Sequence, residues 1–240
     1  MNTAAKSIFR ELSISCKDCG LGELCIPHDL DQVDIDRLDD SVSHTLLLHA
    51  GELLYKQGSP FKSLYAVKSG SVKICTSQDG GSDTVMGIYL PGEIIGFDGL
   101  STEEYKCTIS ALETSSVCEI HLEDLQKSIP SIFKQLLKHA STKMNQSRGV
   151  SSANKQSAEK RIVLFLLDLS KRYQQRGYVH TEFNLLLTRS ELGDLLDLTP
   201  ETVSRGLRKL ERNGLIAIQN LRYIKIIDLD GLGALVDIEK

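Results

Sequence analysis

The sequence has no long apolar run, and this absence excludes a membrane-spanning helix. Its longest uninterrupted apolar stretch runs only from Ile162 to Leu167, whereas a membrane helix needs roughly 20 such residues. Residues 1–13 mix charged and apolar side chains and lack the apolar core of a signal peptide. The 240 residues are 41% hydrophobic and 25% charged, which is typical of a globular chain. We therefore expect a cytoplasmic protein.

The sequence signatures of common enzymes are also missing. There is no GxGxxG turn after a strand, no phosphate-binding P-loop, no nucleophile elbow and no carboxylate pair in a catalytic context. The six histidines are scattered along the chain. We therefore expect a protein that is not an enzyme.

The charge is present but unevenly distributed. The net charge of −4 is the sum of −7 in residues 1–147 and +3 in residues 148–240. Residues 202–225 carry six basic side chains and a single acidic one. A local basic face of this kind attracts phosphates even when the whole chain is acidic, although most charge runs are simply solvated helix faces.

The first half of the chain is typical of an antiparallel β domain. Between Gly51 and Gly99 glycines recur every few residues and separate short strand-forming runs such as 63–67 and 72–76. Residues 68–71 predict a hairpin turn between these two strands. A second group of strands is expected between residues 105 and 122.

The character of the sequence becomes helical after Pro130. Phe133, Leu137, Ala140 and Met144 recur at intervals of four, three and four residues, which is the spacing of a helix that packs against a partner helix. We expect the dimer contacts at Phe133, Leu136, Leu137, Ala140 and Met144, although residues 145–152 are too polar to continue this seam. Another helix is predicted from about Ala158 to Arg176.

Two short helices joined by a tight turn follow. The sequence from Thr188 to Glu191 is a capping box that starts a helix ending at Leu196. Thr199 and Pro200 supply an N-cap and a first-turn proline for a second helix, which ends at Asn213 and Gly214. Gly193 allows the helices to approach closely, and Asp197 stands at the turn position where a positive φ is expected. Two strands, 215–218 and 223–227, then predict a β wing.

This arrangement predicts a helix-turn-helix that binds DNA, because it presents the N-terminus of the second helix to the major groove. Glu201, Ser204 and Arg205 lie on one exposed face of its first turns, where each side chain could contact a base edge. Arg208, Lys209 and Arg212 lie further along the helix, and we expect them to contact phosphates.

Three of the six cysteines fall within ten residues, at Cys16, Cys19 and Cys25. Such a segment can point three thiols at one centre, as in a zinc knuckle, a redox dithiol or an iron–sulfur site. A zinc site could take His28 as its fourth ligand. An iron–sulfur site could take Cys75, Cys107 or Cys118, although strand alternation favours Cys107 as a core residue and gives Cys75 no clear role.

The sequence resembles the fumarate and nitrate reduction regulator (FNR) branch of the cAMP receptor protein (CRP) superfamily over nearly the whole chain. Its most specific matching segments are the cysteine spacing from Cys16 to Cys25, residues 111–120, and the sequence from Glu201 to Arg205. The resemblance implies an oxygen-labile [4Fe-4S] cluster on Cys16, Cys19, Cys25 and Cys118, and base contacts from Glu201, Ser204 and Arg205.

The resemblance also implies an α+β architecture with four parts. They are a cysteine-rich cluster-binding segment (1–30), a β jelly-roll sensor domain of the cyclic-nucleotide-binding type (31–128), a dimerisation helix (129–156) and a winged helix-turn-helix domain (157–240). The intact cluster is expected to favour a homodimer that binds a palindromic promoter and regulates anaerobic genes as an activator or a repressor. Oxygen is expected to weaken this dimer and release the DNA. The turn at residues 77–84 corresponds to a family contact with RNA polymerase.

Two rival signals use the same scaffold. A cyclic nucleotide would need an Arg-Ser phosphate clasp, but the corresponding residues from Tyr105 to Thr108 offer only Lys106. A zinc- or thiol-based redox signal would use the cysteines differently. The apolar side chain of Leu24, beside Cys25, would either shield a cluster from oxygen or serve only in packing.

Overall fold

The computed structural model describes residues 15–22, 24–26, 30–77, 83–122, 132, 136–141 and 156–237. The chain divides into two compact units, residues 1–74 with 88–139 and residues 75–87 with 140–240. The strands are β1 (Val42–Leu48), β2 (Leu53–Tyr55), β3 (Leu64–Ser69), β4 (Val72–Thr76), β5 (Thr84–Tyr89), β6 (Ile94–Ile95), β7 (Thr108–Ala111), β8 (Ser115–Ile120), β9 (Glu182–Asn184), β10 (Ile216–Gln219) and β11 (Tyr223–Ile226). The helices are α1 (Gln32–Ser41), α2 (Ala158–Gln175), α3 (Arg189–Leu196), α4 (Pro200–Arg212) and α5 (Leu229–Asp237).

Two four-stranded sheets form the predicted jelly roll. Their strand orders are β1-β8-β3-β6 and β2-β7-β4-β5. Strand β3 is buried on both faces, since Leu64 and Ala66 join one apolar cluster whereas Tyr65 and Val67 join another. The first of these clusters also contains Leu38 of α1, so this helix covers one side of the roll.

The turn at residues 68–71 differs from the predicted hairpin. Strands β3 and β4 lie in different sheets, so the turn carries the chain from one sheet to the other. Gly70 has a φ of +75°, and a Cβ there would lie 2.6 Å from the carbonyl oxygen of Thr114. The turn packs tightly on the start of β8, and local sequence carries no signal for that distant contact.

The C-terminal elements form the predicted winged helix-turn-helix. Helix α2 starts at the N-cap Ser157, and the chain after its end turns at Gly177 with a φ of +69°. It packs against α4 and α5, and α3 packs against α4. Strands β10, β11 and β9 make a small antiparallel sheet beside them.

Much of the expected dimerisation helix lies outside the described residues, including Phe133, Met144 and residues 142–155. Residues 136–141 are helical. His28 and residues 78–82 of the predicted polymerase-contacting turn also lie outside the described part. Within that part, no helix is both long enough and apolar enough to cross a membrane.

Candidate nucleic-acid interface and cysteine centre

The turn between α3 and α4 is built as the sequence predicts. Thr188 and Glu191 form both hydrogen bonds of the capping box, and Asp197 ends α3 with a φ of +53°. The amide of Leu198 donates to the carbonyl of Gly193 at 2.9 Å. A Cβ on Gly193 would lie only 2.5 Å from the carbonyl oxygen of Leu198, so glycine is required for this close approach.

Arg161 of α2 stabilises this turn through hydrogen bonds to its backbone carbonyls. Its guanidinium donates to the carbonyls of Leu196 at 2.8 Å and Asp197 at 2.9 Å, and it lies 3.8 Å from the Asp197 carboxylate. These carbonyls end α3 and have no partner within the helix, so a cation that donates to them also complements the helix dipole. Sequence reasoning missed Arg161, because its partners lie some 35 residues away.

Helix α4 presents the predicted DNA-contacting face. Val203, Leu207 and Leu210 are buried, whereas Glu201 and Arg205 are exposed and Ser204 is half-buried. The Ser204 hydroxyl donates to the carbonyl of Pro200 at 2.9 Å, and the Arg205 guanidinium donates to the hydroxyl of Thr202 at 3.2 Å. The exposed groups therefore lie on the first two turns of a helix whose N-terminus is capped by Thr199.

The basic side chains of this region fall into two groups. Lys209 forms an ion pair with Glu159 at 2.6 Å, and Lys225 pairs with Glu182 at the same distance. Four arginines have no ion-pair partner within 4.0 Å among the described residues: Arg205, Arg208, Arg212 and Arg222. The guanidinium groups, rather than the lysines, thus provide the uncompensated positive charge.

A cavity of about 570 Å³ lies between α4, the start of α3 and the wing. Its lining includes Arg189, Arg208 and Arg222. Arg189 donates to the carbonyl of Leu221 at 2.9 Å, and burial together with nearby Arg222 lowers the pKa of its guanidinium. A groove lined by three guanidinium groups is suited to the phosphate backbone of DNA.

The cysteine segment docks on helix α1 through two carboxylates. Asp39 accepts hydrogen bonds from the Ser15 hydroxyl and from the amide of Cys16, and Asp36 pairs with Lys17 at 2.5 Å. These contacts fix Cys16 to the first unit of the chain. Sequence reasoning missed Asp39, since nothing in a solvated acidic helix distinguishes one carboxylate from another.

The other end of the cysteine segment packs on the turn before β6. A Cβ at Gly92, whose φ is +87°, would lie 2.8 Å from the Cβ of Leu24. Leu24 therefore packs directly on the jelly roll beside Cys25, which fits either role expected for it.

Three of the predicted ligands pack on the same apolar cluster. Cys16, Cys25 and Cys118 all contact the cluster around Ile26, Ile120 and Leu136. Cys118 lies on β8 between Thr45 of β1 and Ala66 of β3. The N-terminal segment and the middle of the jelly roll thus bring their thiols to one side of the domain.

Burial raises the pKa of these thiols, and neighbouring charges add to or oppose the effect. Burial, followed by the Asp39 carboxylate, raises the pKa of Cys16, and burial raises that of Cys25 to about 12. The pKa of Cys118 is also raised by burial, but the positive charge of Lys68 opposes this rise. Cys19 interacts electrostatically with both Cys25 and Cys118.

Of the remaining two cysteines, Cys75 lies in the other sheet and Cys107 directly precedes one of its strands. Cys75 lies on β4 and is only 3% exposed, so it is a core residue. Strand alternation alone had indicated no role for it. Cys107 is half-buried just before β7, and its amide donates to Asp98 at 3.2 Å.

The chemistry of the donor set suits an iron–sulfur group. All six cysteines are free thiols, and the four predicted ligands are half-buried. Among the described residues, no three His, Cys, Asp or Glu side chains already stand at metal-binding distances from one another. The Lys68 ammonium is buried with no hydrogen-bond partner in the described part of the chain, which leaves its positive charge available to a negatively charged group.

Aromatic side chains fill the interior of the roll where a cyclic nucleotide would need a phosphate clasp. Tyr105 is 2% exposed, stacks on Tyr55 with ring centroids 3.7 Å apart, and donates to the carbonyl of Ser63. The Asp98 carboxylate accepts from the amides of Lys106 and Cys107. The Asp98 carboxylate thus already accepts from the backbone amides that could otherwise bind a phosphate. Its negative charge would also repel a phosphate.

Comparisons with known proteins agree with this architecture. Residues 46–130 match the cyclic nucleotide-binding domain model, and residues 160–235 match the Crp-like helix-turn-helix domain model. The chain is 39% identical over 224 residues to the transcriptional activator protein FnrA of Stutzerimonas stutzeri, spanning 92% of this chain and 91% of that one. It is 36% identical over 227 residues to the fumarate and nitrate reduction regulatory protein of Salmonella typhimurium, spanning 93% and 90%. The solved structure of FixK2 from Bradyrhizobium japonicum shares the fold, with a TM-score of 0.72 and 23% identity over 80% of this chain and 96% of that one.

Proposed function

The chain belongs to the CRP/FNR family of transcription regulators, which are not enzymes, and we propose that it is a cytoplasmic, oxygen-responsive regulator of anaerobic genes. In this proposal a homodimer binds a palindromic promoter site through two copies of α4 and contacts RNA polymerase. The cysteine centre controls how much of the protein is dimeric.

The DNA-binding part of the proposal is supported by the chemistry of α4 and the wing. Glu201, Ser204 and Arg205 form a compact face at the start of a capped helix, which suits contacts with base edges. Arg208 and Arg212 continue this face, and their charges suit phosphate contacts. Lys209 was predicted to contact phosphate too, but in the free chain it pairs with Glu159.

The oxygen-sensing part rests on the cysteines. A [4Fe-4S] cluster would be held by Cys16, Cys19, Cys25 and Cys118. When bound, it supplies the oxygen-labile group of the sensor. Asp39 holds the Cys16 end of the segment, and Leu24 packs on Gly92 beside Cys25. The segment is thus held in place at Cys16 and beside Cys25.

One observation carries the link between sensing and dimerisation. The apolar cluster that receives Cys16, Cys25 and Cys118 also contains Ile132 and Leu136. Leu136 is 6% exposed within its own chain, whereas its neighbour Leu137 on the helical segment 136–141 is 70% exposed. Leu136, which was itself predicted as a dimer contact, is thus buried in its own chain beside the exposed Leu137. A change at the cysteines therefore reaches this part of the predicted dimer helix through direct packing, and a dimer of marginal stability needs only a small bias.

The proposal is tested by purifying the protein without oxygen. We expect a brown protein with about four irons per chain, whose visible absorption bleaches in air. Cys118→Ser should abolish the iron and the colour, whereas Cys75→Ser and Cys107→Ser should retain both. Colourless protein containing zinc would support the rival metal site, and equal loss in all three variants would contradict the ligand assignment.

A further inference from the structure

Lys68 lies at an irregular point of the jelly roll beside a predicted cluster ligand. Ala66 pairs directly with Cys118 between strands β3 and β8. The register of the two strands then shifts between Val67 and Ser69, which makes Lys68 the extra residue of a β-bulge. Bulges re-aim a side chain out of the regular alternation of a strand.

The ammonium of Lys68 is buried and has no hydrogen-bond partner among the described residues. A lysine ordinarily keeps its charged end in water, and burying that charge without a partner is unfavourable. Glu119, which carries the one carboxylate on β8, accepts hydrogen bonds from the hydroxyls of Ser63 and Tyr65. The position of Lys68 therefore has a cost that the described contacts do not offset.

Strand geometry places Lys68 beside the cysteine centre. Ala66, two residues before Lys68, lies opposite Cys118 and belongs to the apolar cluster on which Cys16 and Cys25 also pack. The Lys68 ammonium and the Cys118 thiol interact electrostatically. The buried ammonium is therefore a positive charge close to thiols that bind a metal as thiolates.

We infer that Lys68 is the counter-charge of the cysteine centre: its buried ammonium compensates the net negative charge of an iron–sulfur group held by four thiolates. This inference rests on the proposed function, and it makes Lys68 a positioning residue rather than a ligand. Nearby charge is one of the factors that set the stability and potential of such clusters.

The first arm of the test uses the cluster-free protein. Cys118 is alkylated separately with iodoacetate, which is anionic, and with iodoacetamide, which is neutral, and the product is located by mass spectrometry. A positive charge near the thiol raises the ratio of the two rates. We expect Lys68→Met to lower this ratio by roughly three- to tenfold, whereas Lys68→Arg and the exposed control Lys62→Met should leave it unchanged.

The second arm uses the reconstituted protein under nitrogen, where the rate of iron loss to a chelator is followed by visible absorption. Lys68→Met should lose iron several times faster than wild type, and Lys68→Arg should retain it. An unchanged rate of iron loss in Lys68→Met overturns the inference, whether or not the alkylation ratio changes. If wild type assembles no iron–sulfur group, the proposed function fails, and the alkylation arm alone decides whether Lys68 acts on Cys118.

Discussion

At the scale of single residues, Ser204 shows how the backbone restricts what a half-buried side chain can offer to DNA. Its hydroxyl proton is donated to the carbonyl of Pro200. The oxygen lone pairs remain, so towards a base Ser204 acts as a hydrogen-bond acceptor. This restriction suits the exocyclic amino groups of adenine or cytosine.

Arg205 is the residue from which we expect the sharpest sequence readout. Its guanidinium is exposed and is steadied by the hydroxyl of Thr202. Arg205→Ala should cost roughly 1–3 kcal/mol on the preferred site and should relax the preference at one guanine. Binding isotherms on a palindrome and on its single-base variants measure both effects.

Arg212→Ala is the matched comparison, since Arg212 lies at the far end of the same helix. We expect this variant to bind every sequence more weakly by a similar factor, as the loss of a phosphate contact does. If Arg205→Ala also weakened all sequences equally, Arg205 would contact phosphate and not a base.

At the scale of elements, local chemistry predicted the helix-turn-helix more completely than the jelly roll. The capping box at Thr188, the first-turn proline at Pro200 and the left-handed Asp197 are each decided by a few adjacent residues. In contrast, the path of the chain through the turn at Gly70 into the other sheet depends on packing against β8, some 45 residues away. The burial of Cys75 and of the Lys68 ammonium likewise depends on strand pairing, which alternation within a single strand does not determine.

Gly193→Ala tests the turn between α3 and α4. The added methyl group would lie 2.5 Å from the backbone carbonyl oxygen of Leu198, so the helices must separate. We expect a loss of about 1–3 kcal/mol in the free energy of unfolding, together with a loss of DNA binding, measured by urea denaturation and anisotropy.

Gly233→Ala is the control, because Gly233 is also helical but a Cβ there meets nothing within 4 Å. Alanine should stabilise α5 by up to about 1 kcal/mol through helix propensity alone. A similar destabilisation in both variants would show that the close approach at Gly193 is not the cause.

At the scale of the whole molecule, the two compact units have different proposed roles and net charges of opposite sign. The first holds the cysteine centre and Leu136, and the second holds α4 and the wing. The mild overall negative charge is the sum of these parts and is compatible with a basic DNA-binding face.

The proposed dimer can be tested at Leu137, which is 70% exposed in the single chain. Leu137→Asp places two carboxylates near the two-fold axis of a dimer, where they repel each other. We expect a shift towards monomer in sedimentation velocity of the anaerobic protein. Val33→Asp, at a 58% exposed apolar residue of α1, should leave the dimer intact; an equal shift there would contradict a specific role for Leu137.

The ion pair between Lys209 and Glu159 has a consequence for how the protein searches a genome. Glu159 offers Lys209 what a phosphate would offer, so DNA must compete with an anion that the protein itself supplies. Competition of this kind weakens binding to any sequence, and the contacts of Arg205 with bases are untouched by it. The fraction of time spent on wrong sites falls, whereas the ratio of specific to non-specific affinity is unchanged, because both affinities are lowered by the same factor.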